Sequence, residues 1–366
     1  MREEGPPVTL IEQARGPDLA LPLTPMSRPD LVKAFRERIA GGLISAPLAG
    51  TSDVPWYRLL AGEGLSAFWT EMTTADGLFR GGRKTRAMLT PEPGRPGDPP
   101  RPLPRLYPDL GVPVVCQLFG HLPEAFAYAA RFVELCGYDA LDLNFGCPAK
   151  KVVRSGNGVA LMRNVPLALE IAAATLESTS LPVTAKLRLG FASDSKIFLR
   201  LATELDAMGI AAITLHPRTR EECFSGCSDW TAIGELVRAV RCSVIGNGDV
   251  KTPGDARRML DSTGCHAVMV GRALIREPWQ ARRMAQALGG EEVRPEADWP
   301  ERVGWTRRHG RLLCEFYGER LAMFRVRRFA LHNLRGVEGA GELRRRMAVV
   351  ADLAEFERML DEALAL

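Results

Sequence analysis

Residues 211–249, AAITLHPRTREECFSGCSDWTAIGELVRAVRCSVIGNGD, hold one complete unit of the chain's repeating plan. Ala211–His216 is a short, nearly continuous apolar run, the pattern of a strand covered on both faces in a parallel sheet. An amphipathic stretch, Trp230–Val240, follows it, and Ser243–Gly246 is a second apolar run of the same kind. Both runs end in a polar group, a histidine and then an Asn-Gly-Asp turn, where a buried strand would otherwise remain apolar.

The same alternation extends in both directions, from residue 43 to about 287. Further strands are predicted at Leu43–Pro47, Ala67–Met72, Val112–Leu118, Ala140–Asn144, Val183–Leu189 and Ala267–Gly271. Amphipathic stretches between them include Pro123–Cys136, Pro166–Glu177, Ser195–Met208 and Pro253–Leu260, several opened by a first-turn Pro or a Ser/Asp cap. Eight strands, each followed by a helix over ~245 residues, is the arithmetic of an α/β fold of the (β/α)8 TIM-barrel type. A doubly wound open sheet is the alternative, but APLAGTSD follows the first strand where that fold carries GxGxxG.

Three regions stand outside the repeat. Residues 1–40 are Pro-rich and then weakly helical near Asp30–Ile39, and are expected to form an N-terminal extension. Within the barrel, expected at 41–290, residues 91–113 form a Pro-rich insertion. Residues 299–366 show helical periodicity broken at Arg335–Gly341, which predicts a small C-terminal helical domain.

The apolar fraction, 46%, excludes wholesale disorder, and no run approaches the ~20 apolar residues of a membrane span. MREEGPP lacks the order of a secretory signal, so a cytoplasmic protein without a membrane partner is expected, a monomer by default. Net charge is +4, but residues 299–346 carry twelve Arg against five acids, and residues 347–366 one Arg against five acids. Such a local excess points to a polyanion, most plausibly nucleic acid. The eight cysteines lack the density of a disulfide framework, and no CxxC pair exists, so no metal site is expected.

In a barrel of this type, functional groups collect at the C-terminal ends of the strands. Those ends read Pro47-Leu48-Ala49, Glu71, Gln117, Asn144 through Cys147, Lys186 with Arg188, His216, Asn247-Gly248-Asp249 and Gly271-Arg272. The glycine turns after strands seven and eight suit a phosphate. Two inward cations on one strand, Lys186 and Arg188, need an electron-rich partner, and a flavin ring suits them. Cys147, set between Gly146 and Pro148, is placed as a proton donor. Lys150, Lys151 and Arg154 follow in a loop expected to meet phosphates and to lower the thiol pKa.

LNFGCPAKKVVRSGNGVALM resembles the signature of the tRNA-dihydrouridine synthases, flavoenzymes that reduce uridine in tRNA. ISAPLAGTSDVPWYRLL, WTEM, VCQLFG, TAKLRLG, TLHPRTREECFSGCSDW, VIGNGDV and VMVGRALIREPW are similar to that family in the same order. The resemblance covers residues 43 to about 283, with a looser likeness of the tail around ELRRR to the family's helical RNA-binding domain. It implies bound FMN, with NADPH (or NADH) as a transient donor. It assigns flavin contacts to Pro47, Leu48, Ala49, Gln117, Lys186, His216, Asn247, Gly248, Asp249, Gly271 and Arg272. Cys147 becomes the general acid that protonates C5 after hydride reaches C6, with Asn144 and Arg188 at the base. This chain departs from the family pattern at Leu48 (Met), at Gly156-Asn157-Gly158 (GAG) and at His216-Pro217-Arg218 (HGRTR).

The sequence thus supports an FMN-dependent reductase of uridine in tRNA, with ribosomal RNA a weaker candidate and DNA not expected. An FMN barrel acting on a free pyrimidine or small enone explains the flavin residues equally, but leaves the basic segment without a purpose. A non-catalytic RNA-binding barrel leaves Cys147, Lys186 and His216 without one.

Overall fold

The computed structural model describes residues 27–89, 110–194 and 196–366. Strands β1 (Leu43–Ser45), β2 (Leu65–Trp69), β3 (Val114–Phe119) and β4 (Ala140–Asn144) are followed by β5 (Val183–Arg188), β6 (Ala212–His216), β7 (Ser243–Asn247) and β8 (Ala267–Val270). All neighbours pair in parallel, β1 with β8, and β2 with β3 through Phe68↔Val114 and Trp69↔Val115 close the ring. The result is the (β/α)8 barrel expected from the sequence. β3 begins two residues later than expected because Pro113 has no N–H to give the ladder. β2 breaks at Thr70–Met72 and resumes as Thr73–Thr74 against Leu118 and Phe119.

Helix α1 (Arg28–Ile39) precedes β1. Around the barrel lie α2 (Val54–Leu60), α3 (Ala75–Phe79), α4 (Pro123–Leu135) and α5 (Val165–Glu177), then α6 (Phe198–Ala207), α7 (Thr231–Ala239), α8 (Pro253–Thr263) and α9 (Gln280–Gly289). Helix α8 shows why these boundaries form. Thr252 and Asp255 make a reciprocal capping box, Pro253 occupies the first turn, and Gly264 leaves in the left-handed region at φ 68°. Helix α6 starts at Phe198 rather than near Ser195, because the Ile197 and Phe198 amides both donate to the Leu189 carbonyl and hold that approach as a turn.

Helix α1 lies against the barrel interior. Phe35 and Ile39 pack with Ile44, Ala67, Trp69 and Ala140 in one apolar cluster, and the Phe35 and Trp69 rings lie 6.3 Å apart. Alanines at several inward strand positions leave room that these two rings fill. Arg36 fixes the helix by donating to the carbonyls of Ala211 and Ile210. Residues 1–26 of the expected extension and 91–109 of the Pro-rich insertion lie outside the described residues.

The C-terminal helical domain comprises α10 (Trp299–Tyr317), α11 (Glu319–Asn333), α12 (Ala340–Met347) and α13 (Leu353–Leu364), with the break where Arg335–Gly341 predicts one. It has its own core, including Val303, Met323, Val326, Leu343, Met347 and Phe356. Gly310 is required there, since a β-carbon would come within 2.3 Å of the Phe356 ring. Against the barrel, the Trp56, His309 and Phe329 rings pack together, and burial pushes His309 down to about 3, so it is neutral.

The arginine excess of this domain divides in two. On one side Arg307 and Arg311 pair with Glu357, Arg307 also with Asp361, and Arg346 with Glu362, so acidic α13 neutralises them. On the other side Arg328, Arg335 and Arg344, joined by Arg276 of the barrel, act on His332, adding to burial in lowering its pKa. Arg335 and Arg344 each donate to the neutral Leu331 carbonyl, and Arg328 to the Thr51 hydroxyl. That side keeps its charge. Among the described residues no helix is long and apolar enough to cross a membrane.

Candidate active site

A cavity of about 1030 Å³ opens at the C-terminal mouth of the barrel. Pro47, Leu48 and Ala49 line it from β1, Gln117 from β3, and Asn144, Cys147 and Lys150 from β4. Lys186, Arg188 and His216 come from β5 and β6, and the 247–249 and 271–272 turns complete it. Lys151 and Arg154 are exposed and do not line the cavity; the segment expected as a loop is a short helix, Lys150–Arg154.

A chain of hydrogen bonds runs under the mouth. Thr184 Oγ1 donates to Asp142 at 2.5 Å, Gln117 Nε2 donates to the same carboxylate at 2.7 Å, and Asn144 Nδ2 donates to Gln117 Oε1 at 2.8 Å. Asn144 Oδ1 then accepts the amides of Gly146 (3.2 Å) and Cys147 (2.9 Å). Burial raises the Asp142 pKa, and Lys186 opposes that rise. Asn144 therefore fastens the cysteine turn at the strand end with both halves of its amide.

The far side of the turn is equally fixed. Gly158, at φ 61°, brings its backbone so close to Cys147 that a β-carbon would lie 2.8 Å from the Cys147 carbonyl oxygen. Asn157 Oδ1 lies 3.0 Å from His121 Nδ1, which also lies 3.1 Å from Asp76 Oδ2. The Cys147 thiol is pushed up by burial, a bonded Ala149 amide, Arg188 and Lys186 only partly offsetting this. The expected lowering by Lys150, Lys151 and Arg154 does not occur, because those side chains are exposed to solvent. The thiol is held protonated, the state a proton donor needs.

Lys186 Nζ donates to Asn247 Oδ1 at 2.9 Å, and Asn247 Nδ2 donates to the Met269 carbonyl at 2.8 Å. Burial lowers Lys186 to about 8, with Arg188 adding to that effect and Asp142 opposing it. Arg188, lowered by burial to about 10, remains a cation and donates to the carbonyls of Gly146, Thr219 and Cys223. His216 is held neutral, first by burial and then by Lys186, Arg188, Arg218 and Arg272.

Gly248, at φ 111°, lies against His216, and a β-carbon there would approach the ring to 2.7 Å. Beside it the Asp249 carboxylate accepts two hydrogen bonds from Arg218, at 2.6 and 3.0 Å, plus the Ser228 amide at 2.8 Å. Arg218 is almost wholly buried and also donates to the carbonyls of Ser225 and Gly226. Sequence reasoning missed Arg218, Phe224 and Met72, all on the cavity wall. A pairing between residues 218 and 249 leaves no trace in local spacing, and Arg218 is one arginine among many.

Residues 44–366 match the family model described as dihydrouridine synthase. The chain belongs to the dihydrouridine synthase family. As a member it is a flavin-dependent oxidoreductase. It is similar to a probable tRNA-dihydrouridine synthase of Rhodobacter capsulatus, 33% identical, with 78% of this chain and 84% of the relative covered. It is also similar to tRNA-dihydrouridine synthase B of Pseudomonas aeruginosa, 33% identical over 87% of this chain and 89% of the relative. Among solved structures, a variant of NCR from Zymomonas mobilis shares the fold at a TM-score of 0.50 and 16% identity, covering 70% of this chain and 88% of that one. Within the dihydrouridine synthase pattern, Asn157 occupies the middle of GAG, and here its side chain ties the cysteine loop to His121.

Proposed function

We propose that this family member reduces specific uridines in tRNA to 5,6-dihydrouridine, using FMN reduced by NADPH or NADH in the cytoplasm. The observation that carries the reading is the half-buried Cys147 on the wall of the cavity, its turn held by Asn144 and Gly158 and its thiol pKa raised by burial.

The donor set fits FMN. Gln117, Lys186 and Asn247 offer polar groups to a heteroaromatic ring, and the turns at Gly248 and Gly271 bring backbone close to an anion. Pro47, Leu48 and Ala49 supply an apolar wall. Arg272 is half exposed beside these turns and answers a phosphate, whereas Asp249 serves by anchoring the turn to Arg218. When bound, FMN supplies the two-electron reduction at uracil C6.

The residues of the chain then do the rest. Cys147 gives its proton to C5. Lys186 stabilises negative charge on the ring system, and neutral His216 donates or accepts without adding charge. Arg188 and Asn144 face the base, and Asn144 keeps the thiol in place. A base inside this cavity has left its stack, at a cost of about a few kcal/mol.

The unpaired side of the helical domain supports RNA as the substrate carrier. Arg276 sits on the rim of the cavity, and Arg328, Arg335 and Arg344 continue the positive surface along residues 299–366. Domain boundaries near 41–290 and 299–366 fit this division of labour, and Lys150 joins the phosphate-facing set, with Lys151 and Arg154 further out.

The decisive experiment measures dihydrouridine in tRNA incubated with enzyme and NADPH, using wild type and Cys147→Ala. The variant should keep its flavin absorbance and lose most turnover. Turnover equal to wild type removes the acid role, and preference for free uridine over intact tRNA removes the RNA reading.

A further inference from the structure

The loop from Pro217 to Asp229 places one aromatic ring at the cavity mouth in an unusual setting. Phe224 is 50% exposed and belongs to none of the apolar clusters of the fold. Its neighbours are polar. The Arg272 guanidinium lies 4.6 Å from the ring centre, that of Arg188 lies 5.4 Å away, and the His216 ring is 6.1 Å distant.

The backbone holds this ring out by design. Cys223 adopts φ 53°, a left-handed conformation uncommon for a residue other than glycine. Arg188 Nη1, which also donates to the Thr219 carbonyl, donates to the Cys223 carbonyl at 2.8 Å. On the other side of the ring, Arg218 donates to the Ser225 carbonyl at 2.9 Å and the Gly226 carbonyl at 2.7 Å. All these bonds use main-chain oxygens, so the loop keeps its shape without the phenyl group. Strain that presents a half-exposed aromatic points to a ligand rather than to packing.

We propose that Phe224 is a stacking platform for an RNA base at the cavity mouth, its ring held between the Arg188 and Arg272 guanidiniums. The inference rests on the RNA reading above. A half-exposed aromatic ring on the wall of a cavity that takes a nucleotide matches the flat π-face of a base. Stacking of this kind tolerates any base, so the ring adds affinity for the strand without reading its sequence.

The test compares Phe224→Ala, Phe224→Leu, Phe224→Tyr and Phe224→Trp in the flavin-loaded enzyme, measuring tRNA affinity over a range of salt and the KM and kcat for dihydrouridine formation. Tyr and Trp are expected to retain wild-type affinity. Ala and Leu should weaken tRNA binding by roughly tenfold, raise KM accordingly, and leave the slope of affinity against salt unchanged. Equal binding by the Leu and Tyr variants overturns the platform, since any apolar cover would then suffice; so does an Ala variant with wild-type affinity. Should the Ala variant fail to fold, the Leu and Tyr pair decides alone. A wild-type enzyme that makes no dihydrouridine in tRNA defeats the underlying reading, whereas an active wild type with equal Leu and Tyr variants defeats only the platform.

Discussion

The Tyr317 hydroxyl of the helical domain donates to the Asp53 carboxylate of the barrel at 2.9 Å, and the same oxygen accepts Arg325 Nη1 at 3.1 Å. Asp53 also caps α2 by accepting the Trp56 amide, so one carboxylate serves the barrel and the joint between the two parts. Burial nevertheless raises it from 3.8 to about 6, with Tyr317, Trp56 and Arg325 opposing and nearby Glu71 assisting the rise.

A folded-state pKa above the unfolded one means the folded protein binds the proton more tightly. Stability from this group is therefore full below pH ~4 and declines as pH rises through about 6. Asp53→Asn, which keeps the cap and removes the charge, should gain on wild type between pH 4.5 and 8, by about 1–3 kcal/mol. Thermal melting of both proteins across that range checks this; a gap independent of pH refutes it.

Asn144→Ala should release the Cys147 turn. Misplacing a reacting group by about 1 Å reduces rate by as much as ~100-fold, so kcat should fall by that order. The same variant should let iodoacetamide reach Cys147 faster. In wild type the raised thiol pKa keeps that reaction slow near neutral pH and faster as pH climbs, and the exposed Cys227 should be modified first. Site-resolved mass spectrometry distinguishes the two thiols.

Gly248→Ala places a methyl group 2.6 Å from Ser228 Oγ and 2.7 Å from His216 Cδ2, at a φ that L-residues rarely adopt. Purified protein should carry less flavin and be destabilised by about 1–3 kcal/mol. Full flavin occupancy with an unchanged melting temperature would show that the turn yields freely.

Asn157→Ala restores the family's residue and removes the tie to His121. Loss of one part-buried hydrogen bond is worth about 1 kcal/mol at most. The expected effect is a modest fall in melting temperature together with lower kcat, since the cysteine loop loses an anchor. Combining it with His121→Ala should add little, because both changes cut the same link. Additive effects in that cycle would place the two residues in separate roles.

The strand ends were legible because each parallel strand must leave the barrel at a defined residue, and polar groups in such positions stand out against apolar runs. Fifteen of the seventeen candidate residues line the mouth for that reason; Lys151 and Arg154 do not, because a helix turned them outward. The sign of the Cys147 shift was not legible. Nearness in sequence suggested three cations at the thiol, whereas burial by distant strands dominates. Arg218 and Asp249 are another case, joined across 31 positions without any local pattern. Helix α1 was visible only as a weak amphipathic stretch, and its place against Trp69 follows from the volume left by inward alanines.

Acidic α13 makes the helical domain electrically two-sided, since Glu357, Asp361 and Glu362 mask one set of arginines and leave the His332 side bare. A sided charge distribution exerts torque on an approaching polyanion as well as attraction. An RNA molecule would be turned toward the barrel mouth before first contact, so that a larger share of collisions becomes productive. That gain belongs to encounter kinetics and fades as ionic strength rises.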